Sequence, residues 1–99
     1  MLNKVKLALR IKGNTFDDEI QDLIDSAKLD LGISGVANTE ETDNLVIRAI
    51  ILYCKGYFGI DNPNSEQYLK SYTELKTHMS LATGYRVEVA EWIGKIQLN

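Results

Sequence analysis

The chain has 99 residues, 44% apolar and 25% charged, with 11 Lys and Arg against 14 Asp and Glu for a formal net charge of −3. That is the size and make-up of one globular domain, and it argues against extensive disorder. No apolar run reaches the ~20 residues of a membrane helix, and a lone cysteine, Cys54, can build neither an internal disulfide nor a cysteine-based zinc site.

Leu2, Val5 and Leu9 recur at helical spacing with Lys4, Lys6 and Arg10 between them, which predicts a short amphipathic helix over residues 2–10. The same residues lack the long apolar core of a signal peptide, so a soluble intracellular protein is expected. Gly13-Asn14 breaks the helix. Thr15 is the expected N-cap of a second helix, with Asp17, Asp18 and Glu19 placed where carboxylates favour the positive end of the helix dipole. Phe16, Ile20, Leu23, Ile24, Ala27 and Leu31 then form an apolar stripe in steps of three and four, up to a stop at Gly32. The acids Asp18, Asp22, Asp25 and Asp30 are expected to face away from it.

Residues 32–42 read as a loop, and Thr42 or Asp43 can cap a third helix running to about Phe58 before Gly59. Its segment from Leu45 to Cys54 is apolar nearly all round, with Asn44, Arg48 and Lys55 marking a narrow polar strip. Such a helix is buried on almost every face, so it must lie centrally in a bundle or against a neighbouring subunit. Residues 60–64 form a turn, because Pro63 disfavours helix before it. Asn64 with Gln67 resembles a capping box. Tyr68, Leu69, Tyr72, Leu75 and Met79 mark a fourth helix ending near Thr83-Gly84. From Tyr85 to Ala90 the pattern changes to alternation with two β-branched positions, as in an extended strand or arm, and Trp92 to Leu98 follows. The expected fold is all-α: a short N-terminal helix, three longer ones, and an extended C-terminal tail that is a candidate strand. Residues 1–84 form the domain and 85–99 the tail.

Catalytic signatures are missing. His78 is the only histidine, and nothing in the sequence sets it beside Cys54 or a hydroxyl, as nucleophile–base catalysis requires. Cys54 lies among apolar residues and reads as a small core hydrophobe. Asp61-Asn62-Pro63-Asn64-Ser65-Glu66 has the oxygen ligands of a calcium loop without its spacing, since no glycine stands at the sixth position. There is no Gly-rich phosphate loop, HExxH or paired CxxC. No enzyme, no cofactor and no metal site are expected. Tyr53, Tyr57 and Phe58 at the end of the third helix should meet Tyr68 and Tyr72 at the start of the fourth as an aromatic cluster across the short turn.

Charge is more informative than chemistry. Residues 1–12 carry +4 with no acid, residues 13–43 carry nine acids against Lys28 alone, and the remainder is close to neutral. Short helices can carry such charge simply as solvated faces. Opposite charge on different parts of one subunit also suits docking between copies. The tail offers a second surface: Val87, Val89, Trp92, Ile93 and Ile96 either fold back or dock on a partner by strand addition. A net −3 with no Lys- and Arg-rich recognition helix argues against a small DNA-binding regulator, while a generic helical assembly or scaffolding protein would share most of these features.

Taken in order, Val5-Lys6 and Leu9-Arg10-Ile11, then Asp17-Asp18-Glu19-Ile20 with Leu23-Ile24 and Ala27, then Ala49-Ile50 with Tyr53, Tyr57-Phe58-Gly59 and Asp61-Asn62, and last Tyr68, Ser71-Tyr72 and Leu75 make a pattern. It resembles the small helical head–tail connector, or adaptor, proteins of tailed bacteriophages over residues 1–84. The tail departs from that pattern. The resemblance implies a structural protein without catalysis or cofactor, monomeric before assembly in the host cytoplasm and then sited at the head–tail junction of the virion. It implies a head-to-tail ring of about twelve subunits that docks on the portal, extends the DNA channel and receives the next connector or tail-completion protein. DNA would pass without specific binding, and no membrane is involved. Joined to the charge pattern, it makes Lys4, Lys6, Arg10, Asp18, Asp22, Asp25 and Arg48 the candidate subunit interface, and Val87, Val89, Trp92, Ile93 and Ile96 the candidate docking residues for portal or neighbour.

Overall fold

The computed structural model describes residues 1–37, 39–59 and 62–82, which form four helices in an all-α arrangement. They are α1 (Leu2–Leu9), α2 (Asp17–Ile33), α3 (Asn44–Tyr57) and α4 (Ser65–Leu81). The expected strand-like tail, with Val87, Val89, Trp92, Ile93 and Ile96, lies outside the described residues.

α3 is the hub. It packs most extensively on α4, then on α2, and also touches α1. Its near-continuous apolar surface is therefore met inside the subunit: Val46, Ala49, Ile50 and Cys54 are fully buried, and Leu45, Ile51, Leu52 and Tyr53 are partly buried against the same core. α2 contributes Ile20, Ile24, Ala27 and Leu31, the i, i+4, i+7, i+11 positions of its apolar stripe. Val5 enters from α1, and Tyr72 and Met79 from α4. Each of the larger of these side chains stabilises the fold by about 1.5–3 kcal/mol through the apolar area it removes from water. At the α3–α4 crossing the backbones come close because Gly56 has no side chain. A Cβ there would sit 2.5 Å from Leu69 Cγ and closer still to Leu69 Cδ2.

The helix ends follow backbone geometry more than local sequence. α1 stops at Leu9 because Arg10 takes a left-handed conformation (φ 59°, ψ 40°), donating its N–H to the Leu7 carbonyl while Ile11 N–H reaches back to Lys6. This is a Schellman stop without glycine, three residues before the expected break at Gly13. α2 begins at Asp17, with Phe16 rather than Thr15 at the N-cap position and no side-chain cap. It runs one residue past Gly32 and stops at a second Schellman motif. There Val36 N–H bonds Leu31, Gly35 N–H bonds Gly32, and Gly35 supplies the positive φ of 95°. Of the two expected caps it is Asp43 that serves α3, its carboxylate accepting from Leu45 N–H at 2.8 Å and Val46 N–H at 3.3 Å. The capping box at Asn64 does not form, since Asn64 makes no side-chain cap bond. Asn62 holds that turn instead, accepting from Asn64 N–H at 3.1 Å and donating to the Lys55 carbonyl at 2.6 Å. That use of Asn62 gives the calcium-loop-like segment a structural role.

Candidate assembly surfaces

The two ends of the charge pattern fold onto separate helices. On α2, Asp18, Asp22 and Asp25 are exposed on the side opposite the buried stripe and follow each other at i, i+4 and i+7. Gln21 donates to Asp25 at 3.0 Å. Leu29 and Ile33 continue the same ridge and stand 66% and 77% exposed. One solvent-facing ridge of α2 is thus acidic along its first half and apolar along its second. On α1, Lys4 is exposed and Leu7 is 80% exposed, with Arg10 exposed just beyond the helix. This short edge is basic with an apolar centre. Arg48 is exposed on α3.

Lys6 behaves differently from Lys4 and Arg10. Its ammonium pairs with Asp17 at 2.7 Å and lies 3.5 Å from Asn14 Oδ1. The side chain is largely covered, so its charge clips α1 to the N-terminus of α2 within the subunit. Lys28 likewise pairs with Glu41 at 2.6 Å, tying α2 to the segment before α3 and holding the Glu41 carboxyl below its usual range.

Sequence spacing did not reveal the cleft between the end of α1, the end of α3 and the start of α4. It is open, about 330 Å³ in volume, and lined by Ala8, Leu9, Arg10, Lys55, Asn62 and Tyr68. Among the described residues that line it, two are cationic and none is a carboxylate. The Lys55 ammonium lies 5.4 Å from the centroid of the Tyr68 ring, a cation–π placement that holds the charge in position without neutralising it. Asn62 is fixed by its bond to the Lys55 carbonyl. The lining residues are far apart in the chain, which is why periodicity could not gather them. Leu29 and Ile33 left a readable signal, because they fall in phase with Asp18, Asp22 and Asp25 rather than with Ile20 and Ile24.

Asp30 does not face away from the bundle as expected. It accepts from the Tyr72 hydroxyl at 2.5 Å and from Lys76 Nζ at 3.0 Å, joining α2 to α4. Burial pushes the Asp30 carboxyl up, but the Tyr72 and Lys76 hydrogen bonds and the Lys76 charge outweigh it and leave the group below its ordinary value. Burial, and then the bond to Asp30, push the Tyr72 phenol well up. The aromatic cluster divides in two. Tyr53 packs edge-on against Tyr72 at 5.2 Å and tilted against Tyr57 at 4.6 Å. Phe58 instead meets Phe16 at 5.5 Å, nearly perpendicular. Cys54 is buried with its thiol pushed up to about 12, whereas His78 is exposed on α4. Among the described residues no group of three or more His, Cys, Asp or Glu could hold a metal ion, and no helix is long and apolar enough to cross a membrane.

These features describe a small four-helix domain with an acidic ridge on α2 and a basic edge on α1. The family model described as phage connector protein matches residues 1–86. The chain therefore belongs to the phage connector protein family and is a phage structural connector protein, as its resemblance implied. That family is generally non-enzymatic and consists of virion components that assemble with other head and tail proteins. Comparisons with curated proteins and with solved structures give no match.

Proposed function

We propose that this connector closes into a head-to-tail ring of about twelve subunits that docks on the portal vertex, extends the DNA channel and joins head to tail. The observation that carries the reading is the placement of complementary faces on different helices of one subunit. The basic edge of α1, with Lys4 and Arg10, matches the acidic ridge of α2, with Asp18, Asp22 and Asp25. A closed ring requires such unlike patches, because each subunit presents one to the neighbour ahead and the other to the neighbour behind. Arg48, exposed on α3, is assigned to the same interface, and Lys6 acts indirectly by fixing α1 on α2.

Residues 1–84 form the ring-building domain and residues 85–99 an arm whose Val87, Val89, Trp92, Ile93 and Ile96 dock on the portal or a neighbour. The next connector or tail-completion protein binds the opposite side of the ring. DNA passes through without specific binding, and neither a cofactor nor catalysis is involved. The subunit is made in the host cytoplasm and ends at the head–tail junction. The test is native mass spectrometry and negative-stain imaging of the full chain, alone and with the portal of the same phage. Closed rings that are lost on reversing Lys4 and Arg10 to Glu, with the helical spectrum intact, support the reading. Irregular or dimeric species from the unmodified protein, or rings unaffected by the reversal, overturn it.

A further inference from the structure

We propose that the cleft between α1, α3 and α4 is a carboxylate receptor that accepts acidic side chains from the α2 ridge of a second copy of this chain. The inference rests on the head-to-tail reading and adds a site to it. Arg10, just beyond α1, and Lys55 on α3 line the cleft with no carboxylate among the described lining residues, so the site concentrates positive charge in a concave space. Charge in a cleft with low-dielectric walls is screened less than charge on an open face.

Each cation springs from a fixed backbone, and the Lys55 ammonium is also held over a ring. Arg10 is itself the left-handed residue that ends α1, and its amide is bonded to Leu7, which fixes the backbone from which the side chain leaves. A non-glycine residue in that conformation costs about 1–2 kcal/mol, a strain that glycine would remove and that the chain retains together with the arginine side chain. Lys55 rests over the Tyr68 ring, on a backbone segment that Asn62 ties to the following turn. Side chains ordered in advance lose less entropy when a partner arrives.

The occupant follows from charge and shape. The subunit has a net charge of −3, which disfavours a nucleic-acid backbone. The same chain displays Asp18, Asp22 and Asp25 in a single exposed row. Arg10 belongs to both the α1 edge and the cleft, so a neighbour's α2 laid along α1 brings its acids to the cleft mouth. The apolar part of the ridge at Leu29 and Ile33 then has Leu7, also exposed, as a counterpart.

Lys55 is the discriminating residue, because it lies outside the α1 edge. Lys55→Glu in the full chain should weaken ring assembly at least about tenfold, read as the protein concentration for half-assembly by native mass spectrometry; tenfold corresponds to about 1.4 kcal/mol per contact. Lys55→Gln should weaken it less, and circular dichroism should show both variants folded. Combining Lys55→Glu with Asp18→Lys, Asp22→Lys or Asp25→Lys should restore assembly in at least one pair by exchanging the charges across the contact. Assembly of Lys55→Glu at the concentration of the unmodified protein, or rescue by none of the three, overturns the receptor while leaving the ring reading intact. Failure of the unmodified protein to form rings, alone or with portal, overturns both.

Discussion

Gly56 should be the position where a single methyl group decides the α3–α4 packing. In α3, Gly56→Ala gains helix propensity, up to about 1 kcal/mol in a helix interior and less here, one residue from the end of the helix. Against that gain, the added Cβ would lie 2.5 Å from Leu69 Cγ, where carbon atoms prefer roughly 3.5–4.0 Å. Cγ is the branch point of leucine, so rotation at its tip cannot clear the methyl group. Leu69 must leave its χ1 well or the helices must part by about 1 Å, and overpacking of that kind costs roughly 1–3 kcal/mol. The net expectation is destabilisation of about 1–2 kcal/mol, which for a domain of this size lowers Tm by very roughly 5–10 °C. Gly32, in α2, is the internal control, because a Cβ there meets nothing within 4 Å. Gly32 is likewise one residue from the end of its helix, so Gly32→Ala should stabilise by somewhat less than about 1 kcal/mol. Urea and thermal unfolding followed by circular dichroism would separate the two, and Gly56→Ala with Leu69→Ala should cost less than the sum of the single changes. A Gly56→Ala protein as stable as Gly32→Ala would refute the steric argument.

Tyr72→Phe removes the hydroxyl that donates to Asp30 and should cost about 1–1.5 kcal/mol, near the low end for a bond to a charged group, because the Asp30 side chain is 38% exposed and water can replace part of the bond. Since the folded state lowers the Asp30 pKa, stability from this carboxylate is present above its unfolded value and is lost as pH falls below about 4; acid titration should show a smaller loss in Asp30→Asn, and an equal loss would refute the assignment. At the other end of the scale the raised Tyr72 and Cys54 values stabilise below their unfolded pKa values, so unfolding should become easier above about pH 9–10. A thiol reagent at neutral pH should label Cys54 only as fast as the protein opens, since the group is buried and its thiolate suppressed; prompt labelling of the folded protein would contradict its burial.

The helices were readable because each writes its core face into period 3.6: Ile20, Ile24, Ala27 and Leu31 are both the apolar stripe in the sequence and the buried residues in the fold. The α3 cap was readable only as Thr42 or Asp43, since either side chain can accept from first-turn amides, and the backbone geometry selects Asp43. Arg10 was not, because a non-glycine residue in a left-handed conformation has no compositional signature. Asp30 misled for a related reason: it borders the polar side of α2, and only the approach of α4 turns that border into an interior contact with Tyr72 and Lys76. The cleft was invisible because its walls come from three separate helices and a turn, and adjacency between those depends on tertiary packing.

The all-round apolar character of α3 admits either a central place in a bundle or a neighbouring subunit, and the fold meets most of it internally by placing α3 at the centre of the bundle. On the outer surface of α1 and α2, Leu7, Leu29 and Ile33 stand exposed beside charged residues of opposite sign. A surface of that mixed kind suits a subunit that must stay dissolved until a ring is needed, since charge carries the solvated monomer and apolar contacts strengthen the contact once formed. On this reading added salt should weaken the early encounter of subunits more than it loosens closed rings, because exposed charges are screened while buried apolar area is not. A ring that loosened with salt as steeply as it slowed in forming would instead be held by exposed charge alone, and Leu7, Leu29 and Ile33 would have no part in it.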